Sequence, residues 1–177
     1  MLIAGFPAGP FGTNCWILAP GARSEAVIVD PGMDSRRGIE QVVAEHGLRP
    51  VAVVLTHGHL DHMWSVLPVC DGYDIPAWIH PQDRSLLADP WAGVSGETRM
   101  MFASVVGAAD FAEPSDVREL AIYSRGDGVV DWRMCVTGDP GKDREVLGTH
   151  VGLAFNPFVY RFVAEFLAEQ AASVRVA

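Results

Sequence analysis

Lysine is almost absent from this chain: of the 13 lysines and arginines, only Lys142 is a lysine. The acidic residues number 22, so the formal net charge is −9, and no cluster of basic residues interrupts the sequence. Proteins that bind nucleic acid or anionic membrane surfaces carry a basic patch, which this chain lacks. No apolar run approaches the roughly 18 residues that a membrane-spanning helix needs. We therefore expect neither nucleic acid nor a membrane as a partner.

Cysteine is also scarce. Cys15, Cys70 and Cys135 are widely spaced, and no CxxC pair occurs. An odd number of isolated cysteines argues against a disulfide framework. The N-terminal residues lack both the basic region and the long apolar stretch of a secretory signal peptide. We expect three reduced, mostly buried thiols and a cytoplasmic location.

The rest of the composition is that of an ordinary globular protein. The chain has 177 residues, 49% of them apolar and 20% charged, which suits a single domain, 1–177. Ala26–Asp30 and Val51–Leu55 are short apolar runs typical of buried strands, and Ser35–His46 between them has helical spacing, with Gly47 as its C-cap. This strand–helix–strand order predicts a parallel pair of strands in a layered α/β (α+β) fold.

Further elements are predicted on both sides of this unit. A long helix begins at Pro157, has Asn156 as its N-cap and runs to about Val174, with apolar side chains along one face. The turn Gly126–Gly128 separates two segments of strand character. The shorter predicted elements are strands at Met1–Phe6, Asn14–Leu18, Ala77–Ile79, Glu119–Ile122 and Val129–Val136, and a helix at Arg99–Val106.

The segment that carries chemistry follows the second buried strand directly and reads Thr56-His57-Gly58-His59-Leu60-Asp61-His62. Site residues of α/β sheets collect at this place, beyond the carboxyl ends of the strands. In an extended segment residues two apart point the same way, so His57 and His59 can bind one metal ion together. If the chain then turns into a helix, Asp61 and His62 project to a second point nearby. The alternative is a polar loop in which Asp61 is a cap and the histidines face solvent.

The chemistry of these side chains predicts two adjacent metal sites. Neutral imidazole suits zinc, iron and manganese, and a carboxylate suits the harder of these ions. Two ions bridged by a hydroxide would supply a strong nucleophile at neutral pH and a Lewis acid for a carbonyl or phosphoryl oxygen. Gly58 allows the backbone to turn tightly between the two imidazoles. We expect zinc, with iron or manganese as alternatives.

The segment resembles the HxHxDH signature of the metallo-β-lactamase superfamily, and the N-terminal half is similar to its glyoxalase II-like branch. Asn14–Leu18 resembles the N-C-Y strand of that branch, Val29–Gly32 its V-D-P-G motif, and Ile79–Pro81 the strand end after the metal loop. The resemblance covers about residues 1–136, whereas 137–177 diverge or are truncated. It implies an αββα sandwich with a dinuclear metal centre, and a second half that is incomplete in this chain.

The resemblance also implies an activity and roles for individual residues. The activity is hydrolysis of a small-molecule thiolester, such as a hydroxyacyl-glutathione, or of a related ester. His57 and His59 would hold one ion, and Asp61 and His62 the other, with Asp61 acting both as ligand and as catalytic residue. Asp30 would be a buried acid behind the metal loop that holds the loop in place; from the sequence alone it is a cap at a strand end.

The later metal ligands of the family are altered in this chain. The family has a His in a T-P-G-H turn, a bridging Asp in a T-G-D turn and a late His in a G-H-G turn. Asp139-Pro140-Gly141-Lys142 falls where T-P-G-H is expected, which puts a protonated lysine without a lone pair at a ligand position. In a second alignment, Thr137-Gly138-Asp139 is the T-G-D turn and Asp139 is the bridging carboxylate. His150 resembles the late ligand, and its alternative role is that of a loop histidine.

Three functions stay open from the sequence. The first is a metal-dependent hydrolase that acts through a metal-bound hydroxide. The second is a degenerate member that binds metal weakly or not at all, to which Lys142 and the shortening between about Lys142 and Thr149 point. The third is a mononuclear iron dioxygenase acting on a persulfide, as in another branch of the superfamily. A shortened half would leave a sheet face or edge uncovered, and the C-terminal helix or a second copy in a homo-oligomer would cover it.

Overall fold

The computed structural model describes residues 1–96, 99–100, 114, 116–129, 131–153 and 156–174. The chain forms two compact units, residues 1–119 and residues 120–177. The first unit contains a mixed sheet of six strands with helices in the connections, and the second contains a sheet of two short strands followed by helices.

The sheet of the first unit is built in chain order. Its first three strands are antiparallel, and each later strand is parallel to the one before it. The parallel strands are short, and all except the last, Val117–Glu119, are mainly apolar, as expected for strands that are covered by connecting helices. The strands are β1 (Leu2–Ala8), β2 (Thr13–Ala19), β3 (Glu25–Val29), β4 (Arg49–Val54), β5 (Ala77–Ile79) and β6 (Val117–Glu119).

The connections of the first unit hold α1 (Arg36–His46), α2 (Leu60–Met63), α3 (Val66–Tyr73) and two 3-10 helices, Pro81–Leu87 and Pro90–Gly93. The core consists of aliphatic side chains from alternate strand positions and from the helices, among them the fully buried Ile17, Ile28, Ile39, Val53, Val66 and Val69. β3, α1 and β4 form the predicted strand–helix–strand unit with a parallel strand pair, so this prediction is confirmed. Gly47, at φ 61°, is the predicted C-cap.

The second unit contains β7 (Ala121–Tyr123) and β8 (Asp143–Glu145), which pair in parallel, and two helices, α4 (His150–Leu153) and α5 (Pro157–Val174). The predicted C-terminal helix is confirmed over its whole length. Its predicted cap is confirmed too, because the Oδ1 of Asn156 accepts a hydrogen bond from the N–H of Phe158 at 2.9 Å.

Two strand predictions near the end of the chain are wrong. Glu119–Ile122 is not one strand, because β6 ends at Glu119 and β7 begins at Ala121 in the other sheet. Val129–Val136 contains a 3-10 helix, Trp132–Met134, instead of a strand. Asp131 explains this, since its carboxylate accepts a hydrogen bond from the N–H of Arg133 at 3.0 Å and so stabilises a local turn. The predicted helix Arg99–Val106 lies outside the described residues beyond position 100.

The mixture of sheet and helices confirms the expected α/β fold class. Within the described part of the chain, no helix combines the length and the apolar character that crossing a membrane requires.

Candidate metal centre

Two adjacent parallel strands end at the candidate site. β3 is followed directly by Asp30, and β4 is followed by the loop residues 55–59, after which α2 begins. The N–H of Asp30 donates a hydrogen bond to the carbonyl oxygen of Val54 at 3.1 Å, which ties the two strand ends together. Because the carboxyl ends of parallel strands meet at one edge of a sheet, Asp30 lies beside the histidine-rich loop.

Asp30 is a buried acid that holds this loop from behind. Its side chain lies almost entirely out of solvent, and its backbone has a φ of 49°, which aspartate tolerates. Oδ1 accepts a hydrogen bond from the N–H of Thr56 at 2.8 Å, and Oδ2 accepts one from the Thr56 hydroxyl at 2.7 Å. Oδ2 also lies 2.9 Å from Nδ1 of His62. These contacts satisfy a carboxylate that would otherwise be costly to bury.

The hydrogen bonds of Asp30 determine which imidazole nitrogens carry a proton. Nδ1 of His62 faces the carboxylate and is therefore the donor. The Thr56 hydroxyl gives its hydrogen to Asp30, so its oxygen accepts a hydrogen bond from Nδ1 of His57, 3.0 Å away. Assigned from this network, the neutral form of each ring has its lone pair on Nε2. Histidines that bind metals have this arrangement, with one nitrogen donating to the protein and the other free for the ion.

Three imidazoles lie in contact at the loop. The ring centroid of His57 is 4.4 Å from that of His59 and 4.2 Å from that of His62. Burial lowers the pKa of His57 from its ordinary value of 6.5, and the neighbouring His62 and His59 lower it further, against the opposing effect of the nearby carboxylates. The lowered pKa favours the neutral ring at pH 7, which is the form that binds metals.

Asp61 and His62 project from α2 and offer two further atoms that can bind a metal ion. Oδ2 of Asp61 lies 3.4 Å from Nε2 of His62. Two ligand atoms that each lie about 2.1 Å from a tetrahedral zinc ion are about 3.4 Å apart, so this pair has the spacing of two ligands. The alternative that Asp61 caps the helix is wrong, because His59 occupies the N-cap position and no side chain caps α2 there.

Thr13 is a site residue that the sequence did not reveal. It is the first residue of β2, and its hydroxyl donates a hydrogen bond of 2.6 Å to Oδ2 of Asp61. It precedes Asn14, where the resemblance to the N-C-Y strand begins, and a single threonine at the start of a strand gives no signal of its own. The contact fixes the carboxylate that faces His62.

The donor set suits a metal by its chemistry, since the loop offers imidazole nitrogens with fixed protons and a carboxylate oxygen at ligand spacing. Within the residues that the structure describes, however, no three His, Cys, Asp or Glu side chains are arranged to hold one ion. A complete ligand set would therefore require further ligands besides those of the loop.

The remaining candidate ligands, Asp139 and His150, belong to the second unit. Oδ1 of Asp139 accepts a hydrogen bond from the N–H of Gly141 at 2.8 Å, and its carbonyl oxygen accepts one from the N–H of Lys142 at 2.9 Å. The Asp139 carboxylate thus stabilises its own turn. His150 begins α4. The assignment of Asp139 and His150 as ligands stays a prediction.

The chain, including this loop, is similar to known proteins of one superfamily. The sequence profile of the metallo-beta-lactamase superfamily matches residues 8–152. The uncharacterized protein ML0493 of Mycobacterium leprae (strain TN) is 48% identical over 120 residues, which are 68% of this chain and 53% of that protein. The chain spans about half the length of the curated relatives it matches.

Two solved structures are similar in fold. The BLEG-1 B3 metallo-beta-lactamase is 31% identical with a TM-score of 0.53, over 66% of this chain and 53% of that chain. TTHA1623, solved in a di-iron-bound form, is 28% identical with a TM-score of 0.50, over 68% of this chain and 54% of that chain. Both have the metallo-beta-lactamase fold that the resemblance implies. Since the profile spans most of the chain, including the histidine-rich loop, this protein belongs to the metallo-beta-lactamase superfamily.

Proposed function

We propose that this protein is a metal-dependent hydrolase that acts on a thiolester, such as a hydroxyacyl-glutathione, or on a related ester. One observation carries the proposal: Asp30 holds His57, through Thr56, and His62 by their Nδ1 atoms, which leaves Nε2 as the ligand atom of each neutral ring, with the Asp61 carboxylate beside one of them. This arrangement is typical of metal-ligating histidines, in which one ring nitrogen binds the ion and the N–H of the other donates a hydrogen bond to a carboxylate or another oxygen of the protein.

Each residue of the loop has a part in the proposed reaction. His57 and His59 hold one ion, and Asp61 and His62 hold the other, with Asp139 and His150 as candidates for the remaining ligands. When bound, the metals lower the pKa of a coordinated water and polarise the carbonyl of the substrate. Asp30 keeps both Nδ1 protons in place, so the imidazoles do not lose their ligand form. Thr13 holds the Asp61 carboxylate toward His62.

The metal is proposed to be zinc, with iron as the first alternative. Imidazole and carboxylate together suit either ion. The similarity to a structure solved in a di-iron-bound form supports iron as the alternative. Elemental analysis of protein purified without a metal-affinity tag identifies the ion, and we expect about two ions per chain if other ligands complete the set.

The activity is tested with a hydroxyacyl-glutathione as substrate. We expect turnover that a chelator abolishes and that His57→Ala lowers by about 100-fold or more, since loss of a ligand exceeds the effect typical of residues behind the ligands. His46→Ala, the same change at the end of α1, is the matched control and should leave turnover unchanged. Turnover that resists the chelator, or that equals the unsubstituted protein in His57→Ala, would contradict the proposal.

A second candidate is a degenerate member that binds metal weakly or not at all. The observation that favours it is that, among the described residues, no three His, Cys, Asp or Glu side chains are arranged to hold one ion, together with Lys142 in the Asp139 turn. It predicts less than one ion per chain and no chelator-sensitive turnover. A mononuclear iron dioxygenase would instead show about one iron per chain and consume oxygen with a persulfide.

A further inference from the structure

The turn between His57 and His59 is held by a residue from outside the loop. Gly58 is buried, so its amide must find a hydrogen-bond partner within the protein. The N–H of Gly58 donates to Oδ2 of Asp83 at 3.0 Å. Asp83 lies in the 3-10 helix Pro81–Leu87, which follows β5. It is 25 residues away from Gly58 in the sequence.

The same 3-10 helix packs directly against the turn. A Cβ added to Gly58 would lie 2.8 Å from Cδ1 of Leu86 and 3.0 Å from Cβ of Asp83, which is too close for an unshifted side chain. The close approach of the helix favours glycine there, since any larger residue would force the Leu86 and Asp83 side chains to shift. The position of the turn is therefore set by contact with this helix as well as by the hydrogen bond.

Asp83 is itself fixed by the start of its helix. Pro81 occupies the first helical position, where its fixed φ is favourable, and the N–H of Asp83 donates to the carbonyl oxygen of His80 at 2.9 Å. The side chain of His80 accepts a hydrogen bond from the N–H of Gln82. These hydrogen bonds fix the backbone of the first turn, so the Asp83 carboxylate has a defined position relative to the Gly58 amide.

We propose that Asp83 is a positioning residue for the metal loop: by binding the amide of Gly58 it orients the peptide units that carry His57 and His59, and so sets the direction of the two imidazoles. This inference rests on the proposed function. Asp30 acts on the loop from one side, through Thr56 and His62, and Asp83 acts on the turn between the paired histidines. The two carboxylates thus hold different parts of the same ligand set.

The first test measures metal affinity by competition with a chelator for zinc and for iron. We expect Asp83→Ala to weaken binding by about 10- to 100-fold, the range typical when a residue that orients a ligand is removed. Asp83→Asn keeps a carbonyl oxygen for Gly58 and should restore most of the affinity. Asp89→Ala is the matched control. It removes a carboxylate six residues further along the chain, and the side chain of Asp89 makes no capping hydrogen bond. This variant should bind metal like the unsubstituted protein.

The second test uses protein stripped of metal, in which nuclear magnetic resonance reports the ring signals of His57 and His59 and the exchange rate of the Gly58 amide. We expect Asp83→Ala to displace both sets of ring signals and to speed this exchange, and Asp83→Asn to leave them near their original values. If Asp83→Ala does not fold, Asp83→Glu, which moves the carboxylate by one methylene, takes its place with the same expectation.

The outcomes separate this inference from the function on which it rests. Unchanged metal affinity in Asp83→Ala, or equal losses in Asp83→Ala and Asp83→Asn, would overturn the positioning role. If the unsubstituted protein binds neither zinc nor iron, the proposed function fails, and the ring signals then decide the positioning role. Displaced signals of His57 and His59 in Asp83→Ala, but not in Asp83→Asn, support this role. Unchanged signals in Asp83→Ala overturn it.

Discussion

Thr13 donates its hydroxyl hydrogen to the oxygen of Asp61 that faces His62. Replacing it by valine keeps the size of the side chain and removes the donor, so Asp61 loses one of the contacts that fix its rotamer. We expect Thr13→Val to weaken metal binding and to lower kcat/KM by about 10- to 100-fold. The measurements are the metal dissociation constant and the kinetics of thiolester hydrolysis.

Thr13→Ser provides the matched control for this change. Serine lacks the methyl group and keeps the hydroxyl, so it should retain most of the affinity and activity that valine loses. The free energy of unfolding should change little in either variant, because a single partly exposed hydrogen bond contributes about 1 kcal/mol. Equal behaviour of the valine and serine variants would show that the hydroxyl has no part in holding Asp61.

Some residues of the candidate site could be predicted from the sequence, and others could not. The histidines and Asp61 were predicted because they stand within a few residues of one another, and Asp30 because it belongs to a motif. Thr13 and Asp83 reach the loop across 48 and 25 residues of sequence, and a lone threonine or aspartate gives no local pattern. Such partners become visible only once the strands and the 3-10 helix are placed in space.

At the scale of elements, the position of α2 depends on a close approach to the turn after β3. A Cβ added to Gly32 would overlap the main-chain oxygen of Asp61, the second residue of α2. Gly32→Ala must therefore push α2 away from this turn. We expect the free energy of unfolding to fall by about 1–3 kcal/mol, the range typical of overpacking. We also expect weaker metal binding, because both Asp61 and His62 lie on the displaced helix.

Gly21→Ala is the control for this prediction. Nothing lies within 4 Å of a Cβ added at Gly21, and its φ is not positive, so the same chemical change should leave stability and metal binding unchanged. Urea unfolding followed by tryptophan fluorescence measures the first quantity and chelator competition the second. A Gly32→Ala variant as stable as Gly21→Ala would mean that α2 does not need the close approach.

The elements differ in how well local sequence determines them. β3, α1 and β4 follow from hydrophobic periodicity and a glycine cap, and α5 follows from Asn156 and Pro157 at its start. Around Asp131 the sequence has apolar residues of strand character, yet a side-chain-to-backbone hydrogen bond makes a 3-10 turn. A short polar contact of this kind outweighs strand propensity, which depends strongly on the surroundings of a segment.

At the scale of the whole molecule, the thiols report on the integrity of each compact unit. Cys15 and Cys70 are buried in the core of the first unit, and Cys135 is partly exposed in the second. Burial raises the pKa of Cys15 to about 12, with a further contribution from Asp30. Burial likewise raises the pKa of Cys70 to about 12, with contributions from Asp71 and Asp116. All three thiols are free, as the sequence predicts.

The raised pKa values predict which thiols react in the folded protein. Because the thiolate is the reactive form, a thiol with a pKa near 12 is ionised in only about one molecule in ten thousand at pH 8. Raising the pH toward the pKa increases the thiolate fraction, but a buried sulfur also requires the core to open. We therefore expect one fast-reacting thiol per native chain with a disulfide reagent at pH 8, namely Cys135, which is the partly exposed one.

The reaction of Cys15 and Cys70 should appear only in denaturant, with a midpoint that follows the unfolding of the first unit. Cys135→Ser removes the fast phase and leaves the other two thiols as reporters of that unit alone. Gly32→Ala should then expose them at a lower denaturant concentration, and Gly21→Ala should not. Fast reaction of two or three thiols in the native protein would show that the core around β2 and α3 opens readily, and a loop built on such a core could not hold its donors in fixed positions.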